Sequence, residues 1–180
     1  IHELPNRVDL GVFRPERDAR ARAGFAARFP GRYRVLHVGR RVWHKNLDTT
    51  LAALARLGPD YTGIFVGAGD LRPFAEQAEA LGIRDRVHFL DAVENSTLPL
   101  YYSFCDCVCI PSRSEGFGIV FIEALACGAV VVTSDRPPMN EYITHEENGL
   151  LVGQHENPDA VADAVRRATT DEELRAKLQA

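Results

Sequence analysis

The sequence predicts an α/β fold, an open and doubly wound parallel sheet with helices on both faces. One observation is that short apolar runs alternate with helical patterns along the whole chain. Another is that several runs are almost continuously apolar, which is typical of parallel strands buried on both faces. With 180 residues and 46% hydrophobic content, the chain is long enough for one domain that buries roughly 70% of its unfolded surface.

Six apolar runs are predicted to be strands. Their bounds are Tyr33–Val38, Thr62–Val66, Arg86–Leu90, Cys105–Ile110, Ala129–Thr133 and Leu150–Val152. In the fourth run, Cys105, Cys107 and Cys109 alternate, so all three are expected to point to one face of the sheet. Their spacing does not match a zinc site, and buried thiols acting as small hydrophobic side chains are the better interpretation. Free thiols also favour a reducing, cytoplasmic compartment.

Helical patterns fill the segments between the strands. The first has leucines at spacings of four and three residues from Leu47 to Leu57, and Gly58-Pro59 ends it. The others lie at about Leu71–Leu81, Thr97–Phe104, Gly118–Ala126, Val161–Ala168 and Asp171–Leu178. Residues 1–15 have no periodic signal, so we expect a linker there, followed by one domain over residues 16–180.

Composition and charge argue against several classes of function. A net charge of −4 argues against a general binder of nucleic acid or of anionic membranes. The longest uncharged stretch, Ala124–Ser134, is too short to span a bilayer. The histidines form no pair at the i, i+4 spacing, so no metal site is expected. The chain begins with Ile1 and has no signal-peptide pattern, so we expect a processed chain or, better, a piece of a longer protein.

The loop after the first strand contains the first candidate site residues. Gly39 opens this loop, and Arg40 and Lys45 lie five positions apart, a spacing at which two cations can converge on a diphosphate. The alternative is that both are solvated surface charges. The loop is not a P-loop, because G-x-x-x-x-G-K-S/T is absent. Gly67-Ala68-Gly69 follows the second strand and has no third glycine, so it does not predict an NAD site.

The loop after the fourth strand is the most informative segment. Gly116, Phe117 and Gly118 open a helix, and the glycines let backbone N–H groups approach an anionic ligand. Glu115 precedes them, and Glu123 is the one charged residue of a helix that we expect to be buried all round. A buried carboxylate is costly without a donor, so Glu123 is either capped by a neighbour or kept for a ligand. Glu115 is either a solvated loop carboxylate or a second acceptor for ligand hydroxyls.

These motifs resemble a known family. The chain is similar to the C-terminal, donor-binding half of retaining nucleotide-sugar glycosyltransferases of the group 1 (family 4) type, which have the GT-B fold. The segments that carry the resemblance are PNRVDLGVFRP, VGRRVWHKNLDTTLAAL, FVGAGDLRP, RVHFLDAV, CDCVCIPSRSEGFGIVFIEALACGAVVVTSD and NEYITHEENGLLV. The most specific feature is the pair of glutamates Glu115 and Glu123 together with the Gly-Arg-x-x-x-x-Lys loop.

The resemblance implies a role for each candidate. Arg40 and Lys45 would hold the nucleotide diphosphate and stabilise it as a leaving group. Glu115 would contact hydroxyls of the donor sugar, although we do not assign it as a nucleophile, and Glu123 would accept from the ribose hydroxyls. The donor would be a UDP-, GDP- or ADP-sugar, and neither a cofactor nor a metal is expected.

The remaining contacts are also implied by the resemblance. The amides of residues 116–118 would lie against the sugar and phosphates, and the base would pack near Leu90. Glu141 is either a favourable acid at a helix N-terminus or part of the donor site. The glycine-rich turn that the family often has before it is replaced here by residues 136–140, which leaves the identity of the sugar open.

The expected partners are the donor and an N-terminal acceptor-binding domain that this sequence lacks. Two other functions stay open. One is a non-catalytic GT-B-like nucleotide-sugar-binding module, and the other is a related GT-B enzyme such as a nucleotide-sugar epimerase or a glycogen-type synthase. The expected location is cytoplasmic, with attachment to a membrane through the absent domain as the alternative.

Overall fold

The structure is a computed structural model that describes residues 7–179. Its strands are β1 (Tyr33–Val38), β2 (Tyr61–Val66), β3 (Val87–Leu90), β4 (Cys107–Ile110), β5 (Val131–Ser134) and β6 (Leu150–Val152). They form one sheet in the order β3-β2-β1-β4-β5-β6, and every neighbouring pair is parallel. Strands β2 and β3 are therefore added on one side of β1, and β4, β5 and β6 are added on the other side. The strand order reverses between β1 and β4, which makes this boundary the switch point of the sheet.

Eight helices cover the two faces within residues 7–179. They are α1 (Ala19–Arg28), α2 (Leu47–Arg56), α3 (Arg72–Ala80), α4 (Leu98–Phe104), α5 (Ile119–Ala126), α6 (Met139–Tyr142), α7 (Pro158–Thr170) and α8 (Glu172–Leu178). Helices α2, α3, α7 and α8 contribute to one hydrophobic core cluster. Helices α1, α4, α5 and α6 pack on the other face, around a second cluster. None of these helices is long and apolar enough to cross a membrane.

The doubly wound parallel architecture predicted from the sequence is confirmed. Each predicted strand is present, with ends that differ by at most two residues. Alternation along β1 supplies both cores, because Val35 belongs to the first cluster and Leu36 and Val38 belong to the second. The predicted linker over residues 1–15 starts outside the described residues. Its described part has no helix or strand, and Phe13 is buried in the second cluster.

The prediction that three cysteines share one face is wrong for Cys105. Helix α4 continues to Phe104, and the Cys105 amide still donates to the Tyr101 carbonyl at 3.1 Å, so β4 begins only at Cys107. Cys105 therefore packs in the second cluster, whereas Cys107 and Cys109 pack in the first. All four cysteines are buried free thiols, as the sequence predicted, and burial raises the pKa of the Cys109 thiol to about 12.

The prediction for the helix around Glu123 is wrong in one respect. Helix α5 is not buried all round, because Ile119 is 39% exposed and Ile122 is half-buried. Phe121, Glu123 and Ala124 form its buried face. An apolar composition predicts burial only where a neighbouring element is present to cover each face.

A histidine inside the sheet gives the fold a dependence on pH. His37 of β1 is 1% exposed and stacks on Phe65, and its Nδ1 lies 3.3 Å from the Thr50 hydroxyl. Burial, together with the nearby charge of Lys45, lowers the pKa of His37 to about 3. The imidazole is therefore neutral in the folded protein at every pH above this value.

We predict that His37 makes the protein less stable in mild acid. Between its unfolded pKa near 6.5 and about 3, the unfolded chain binds a proton at this site that the folded chain does not, so stability falls as the pH falls. At pH 5 the loss relative to pH 8 is about 2 kcal/mol. Urea unfolding of the protein and of His37→Gln at both pH values measures it. Other groups titrate in both proteins, so equal losses would contradict the prediction.

Candidate functional site

Two loops meet at the carboxyl ends of β1 and β4, on the switch point of the sheet. The first runs from Gly39 to Asn46, and the second runs from Pro111 to Gly118. Parallel neighbours end at the same edge of a sheet, so segments that are far apart in the sequence are brought together there. These are the two loops in which the sequence placed most of the candidate residues.

Lys45 and Glu115 form an ion pair across these loops. The Lys45 Nζ lies 2.7 Å from Glu115 Oε1, and the two side chains are only 12% and 7% exposed. The Ser112 hydroxyl donates to the same carboxylate oxygen at 2.6 Å. The structure thus joins a cation and a carboxylate that are 70 positions apart in the chain, and it excludes the solvated alternative for both.

Arg113 holds the two loops in their relative position. Its guanidinium donates to both carboxylate oxygens of Asp48 at 3.0 and 2.8 Å, to Glu156 at 2.7 Å and to the Trp43 carbonyl at 2.7 Å. Partial burial of Asp48 opposes ionisation, but the bonds from Arg113 prevail and lower the pKa of this carboxyl. No pattern in the sequence predicted the role of Arg113, because its partners come from two distant segments.

Asn46 forms a second brace between the loops. Its backbone is left-handed, with φ of 57°, and its side-chain amide donates to the carbonyls of Pro111 at 2.7 Å and His155 at 2.9 Å. Asparagine tolerates this backbone region better than most residues. The brace therefore fixes the end of the first loop against the start of the second.

Glu123 is satisfied from within the protein. Its Oε2 accepts a hydrogen bond from the Tyr102 hydroxyl at 2.9 Å, and the residue is 8% exposed. Burial raises the pKa of this carboxyl, and the bond from Tyr102 partly offsets the rise. Of the two expectations for Glu123, capping by a neighbour is thus observed, and the second carboxylate oxygen has no such cap among the described residues.

Tyr142 supports the glycine-containing turn that opens α5. Its hydroxyl donates to the Phe117 carbonyl at 2.9 Å and approaches that of Gly118 at 3.3 Å. Gly118 has φ of 77°, and a Cβ there would lie 2.7 Å from the Tyr142 hydroxyl oxygen, so only glycine fits. Burial and the nearby carboxylates of Glu115 and Glu141 raise the pKa of Tyr142 above its usual range, which keeps its hydroxyl protonated as a donor. Glu141 itself is exposed.

Arg40 faces a neighbouring groove on the same edge of the sheet. The groove has a volume of about 190 Å³, and its lining includes Gly39, Gly67 and Ala92. Arg40 is exposed, and within residues 7–179 its guanidinium has no hydrogen-bond or ion-pair partner. The structure thus places Arg40 in this groove and not in contact with the Lys45–Glu115 pair.

Arg41 is a structural cation that sequence reasoning missed. It is 8% exposed and donates to the carbonyls of Gly69 at 3.1 Å and Leu90 at 2.6 Å. It also lies 3.7 Å from the exposed Asp91 carboxylate. Leu90, which was predicted to lie near a base, therefore accepts through its backbone carbonyl the hydrogen bond by which Arg41 joins the end of β3 to the first loop.

Glycine at position 67 sets the distance between the loops after β1 and β2. A Cβ on Gly67 would lie 1.9 Å from the Gly39 carbonyl oxygen, so the two backbones are in contact. The Arg41 amide donates to the Ala68 carbonyl at 2.7 Å. Within the described part of the chain, no group of three or more His, Cys, Asp and Glu side chains could hold a metal ion.

Comparisons with known proteins point in one direction. The family model for glycosyl transferases group 1 matches residues 23–180. The chain is 35% identical over 190 residues to D-inositol 3-phosphate glycosyltransferase of Xylanimonas cellulosilytica, a match that covers 100% of this chain and 45% of that protein. The curated relatives that it matches are two to three times longer than the chain, which spans 35–47% of them.

Solved structures show the same similarity. Sucrose-phosphate synthase of Thermosynechococcus elongatus superimposes with a TM-score of 0.86 at 31% identity, over 96% of this chain and 44% of that one. HepE of Anabaena, solved in complex with UDP and glucose, superimposes with a TM-score of 0.89 at 24% identity, over 97% of this chain and 49% of that one. The second likeness is one of fold alone.

We predict that Lys45 and Glu115 stabilise each other. Lys45→Met or Glu115→Gln leaves one mostly buried charge without its partner, whereas the double variant removes both charges. A double-mutant cycle by urea unfolding should therefore give a coupling free energy of about 0.5–3 kcal/mol. The exposed pair Arg72 and Asp70, 2.8 Å apart, is the control and should show much weaker coupling. Additive effects at Lys45 and Glu115 would contradict the prediction.

Proposed function

The chain belongs to the group 1 glycosyl transferases and has the Rossmann-like fold of their GT-B structures; from this premise we propose that it binds a nucleotide-diphosphate sugar for transfer to an acceptor with retention of configuration. The proposed counterpart is an N-terminal domain of the same enzyme that binds the acceptor. The proposed location is the cytoplasm, where the four free thiols stay reduced, and any attachment to a membrane is assigned to the N-terminal domain.

The Lys45–Glu115 pair is the observation that carries this proposal. A cation that can hold a diphosphate and a carboxylate that can accept from sugar hydroxyls lie 2.7 Å apart, which is the juxtaposition needed at the bond between a sugar and a phosphate. Arg40, which is unpaired among the described residues, supplies the second cation at the same edge. The crystal structure of HepE with UDP and glucose supports a nucleotide-sugar ligand for this fold.

Each candidate has a proposed role in the transfer. Arg40 and Lys45 stabilise the negative charge that develops on the diphosphate as it leaves, an electrostatic effect that is strongest in a site with little water. Glu115 accepts from hydroxyls of the donor sugar. Glu123 accepts from the ribose hydroxyls through the oxygen that Tyr102 does not occupy, and the base packs near Leu90.

The backbone of the second loop completes the proposed site. The amides of residues 116–118 point at the sugar and phosphates from the positive end of α5, and Tyr142 holds the carbonyls of Phe117 and Gly118 in place. In the proposed reaction the bond from the anomeric carbon to the diphosphate oxygen breaks. A bond to the acceptor oxygen forms on the same face of the sugar, and the acceptor proton passes to the departing phosphate. The charge is balanced by side chains, so no metal and no cofactor are proposed.

Donor binding requires an exchange of partners at Lys45. In the structure Lys45 is paired with Glu115, so an arriving diphosphate competes with the carboxylate for the ammonium group. The exchange releases Glu115 next to the sugar hydroxyls. The ion pair therefore keeps both groups in position and opposes the binding of the diphosphate at the same time.

We predict that the chain binds one nucleoside diphosphate with a Kd in the millimolar range or tighter. Calorimetric titration with UDP, GDP and ADP measures this and identifies the base. Lys45→Ala and Glu123→Ala should each weaken binding about tenfold, because each removes a charge-assisted contact. Lys177→Ala is the matched control, since Lys177 is the other lysine and is exposed. No binding of any of the three by the folded protein, or equal weakening by the control, would contradict the proposal.

We also predict an increase in affinity on removal of a site carboxylate. Glu115→Gln frees Lys45, so the nucleoside diphosphate identified above should bind about 3- to 10-fold more tightly, equivalent to about 0.5–1.5 kcal/mol. The same variant should lose any preference for the nucleotide sugar over the nucleotide. Calorimetric titration of both ligands tests the two effects together, and weaker nucleotide binding by the variant would show that the pair does not compete with the diphosphate.

A further inference from the structure

The single tryptophan of the chain lies at the mouth of the proposed donor site. Trp43 is 72% exposed, and it lines an open cleft of about 440 Å³ together with His44, Ser114, Glu115 and Gly116. Building on the proposed function, we propose that the indole of Trp43 is the platform on which the apolar face of a sugar ring stacks.

The backbone of Trp43 and its indole are both contacted by other parts of the protein. The Arg113 guanidinium lies 5.1 Å from the centre of the ring and donates to the Trp43 carbonyl at 2.7 Å. Arg113 is only 11% exposed, because Asp48 and Glu156 fix it. The backbone N–H of Asn46 donates to the same carbonyl at 3.2 Å, which closes the turn over Trp43–Lys45. The fixed backbone and the contact with Arg113 therefore lower the free energy that a stacking ligand would lose to ordering the side chain.

The exposure of Trp43 has no role in the packing of the domain. Neither core cluster includes it, and an aromatic ring of this size is a large apolar surface to leave in water. Among residues 7–179, the other exposed large hydrophobic residues are Leu10, Val12 and Ile119, and none of them lines this cleft. The cleft thus combines one apolar platform with one carboxylate, Glu115.

This combination fits the chemistry of a sugar ring. A pyranose has C–H bonds on its faces and hydroxyls around its edge, so it can stack on an indole while its edge donates to a carboxylate. A diphosphate has no apolar face, and it is not expected to stack. The ring is either that of the donor sugar or that of an acceptor sugar, and the experiment separates these two sources.

Fluorescence of Trp43 is the direct test, because this residue is the only tryptophan. The 180-residue chain is titrated with UDP and GDP, then with UDP-glucose and GDP-mannose, and finally with methyl α-glucoside and methyl α-mannoside in the presence of the nucleotide. A change in emission on adding a nucleotide sugar beyond that of the nucleotide assigns the donor ring. A change with a methyl glycoside assigns an acceptor ring. Sorbitol, which has the hydroxyls but no ring, is the control and should give no change.

Where a nucleotide binds, two results would overturn the inference. One is an emission change that the nucleotide alone produces in full, which would mean that the base stacks on Trp43. Another is an unchanged emission with every sugar while calorimetry detects the nucleotide sugar. If no nucleotide binds, the proposed function fails. The platform is then tested with the methyl glycosides alone, titrated to tens of millimolar. A change in Trp43 emission that sorbitol does not produce supports the platform, and an unchanged emission excludes it.

Variants give an independent reading by calorimetry. Trp43→Ala should weaken the binding of the ring-bearing ligand about 3- to 10-fold, whereas Trp43→Phe should retain most of the affinity. Both variants should bind the nucleotide as the parent protein does, since the platform acts on the sugar alone. Leu10→Ala is the matched control for loss of an exposed apolar side chain and should change neither affinity. Equal losses for the nucleotide and for its sugar conjugate would assign Trp43 a merely structural role.

Discussion

The parallel pairing of β1 with β4 is the constraint on which the candidate site depends. These strands are adjacent in the sheet although β2 and β3 and three helices separate them in the chain. Because both strands run in the same direction, the loops that leave them emerge at one edge and diverge towards opposite faces. Lys45 and Glu115 come from these two loops, so their contact exists only if the sheet is correctly assembled. The ion pair is thus a product of topology rather than of local sequence.

Hydrogen bonds between the two loops and their neighbouring segments then fix the loops relative to each other. Arg113 joins the second loop to the start of α2 and to the segment before α7. Asn46, at the end of the first loop, donates to backbone carbonyls of the second loop and of the segment before α7. These bonds join residues up to 109 positions apart. Preorganisation of this kind matters for charge, because a cation and a carboxylate that are already held in place need little rearrangement when a charged ligand enters.

The sequence predicted most of the fold and the positions of the candidate loops. Apolar runs of the length of Tyr33–Val38 identify strands because a parallel strand is buried on both faces, and this signal is local. The signal fails where the outcome depends on neighbours. Cys105 belongs by composition to a strand, but it caps the C-terminus of α4 instead. Helix α1 was not predicted at all, since it buries no residue and its apolar periodicity is weak. Arg41, Arg113 and Tyr142 were missed for the same reason, because each acts on carbonyls or carboxylates that are close only in the folded chain.

The contact between Gly67 and the Gly39 carbonyl shows that one part of the candidate site is shaped by backbone, whereas the rest is shaped by side chains. The spacing of the loops after β1 and β2 is set by main chain against main chain, so it does not depend on which residues surround it. The exposed side chains of Trp43, Arg136, Pro137 and Asn140, by contrast, belong to neither hydrophobic core cluster. Under the proposed function, substitution at these rim positions is expected to alter the contacts to the sugar without altering the backbone spacing between the two loops, which makes the domain a modular starting point for redesign of the transferred group.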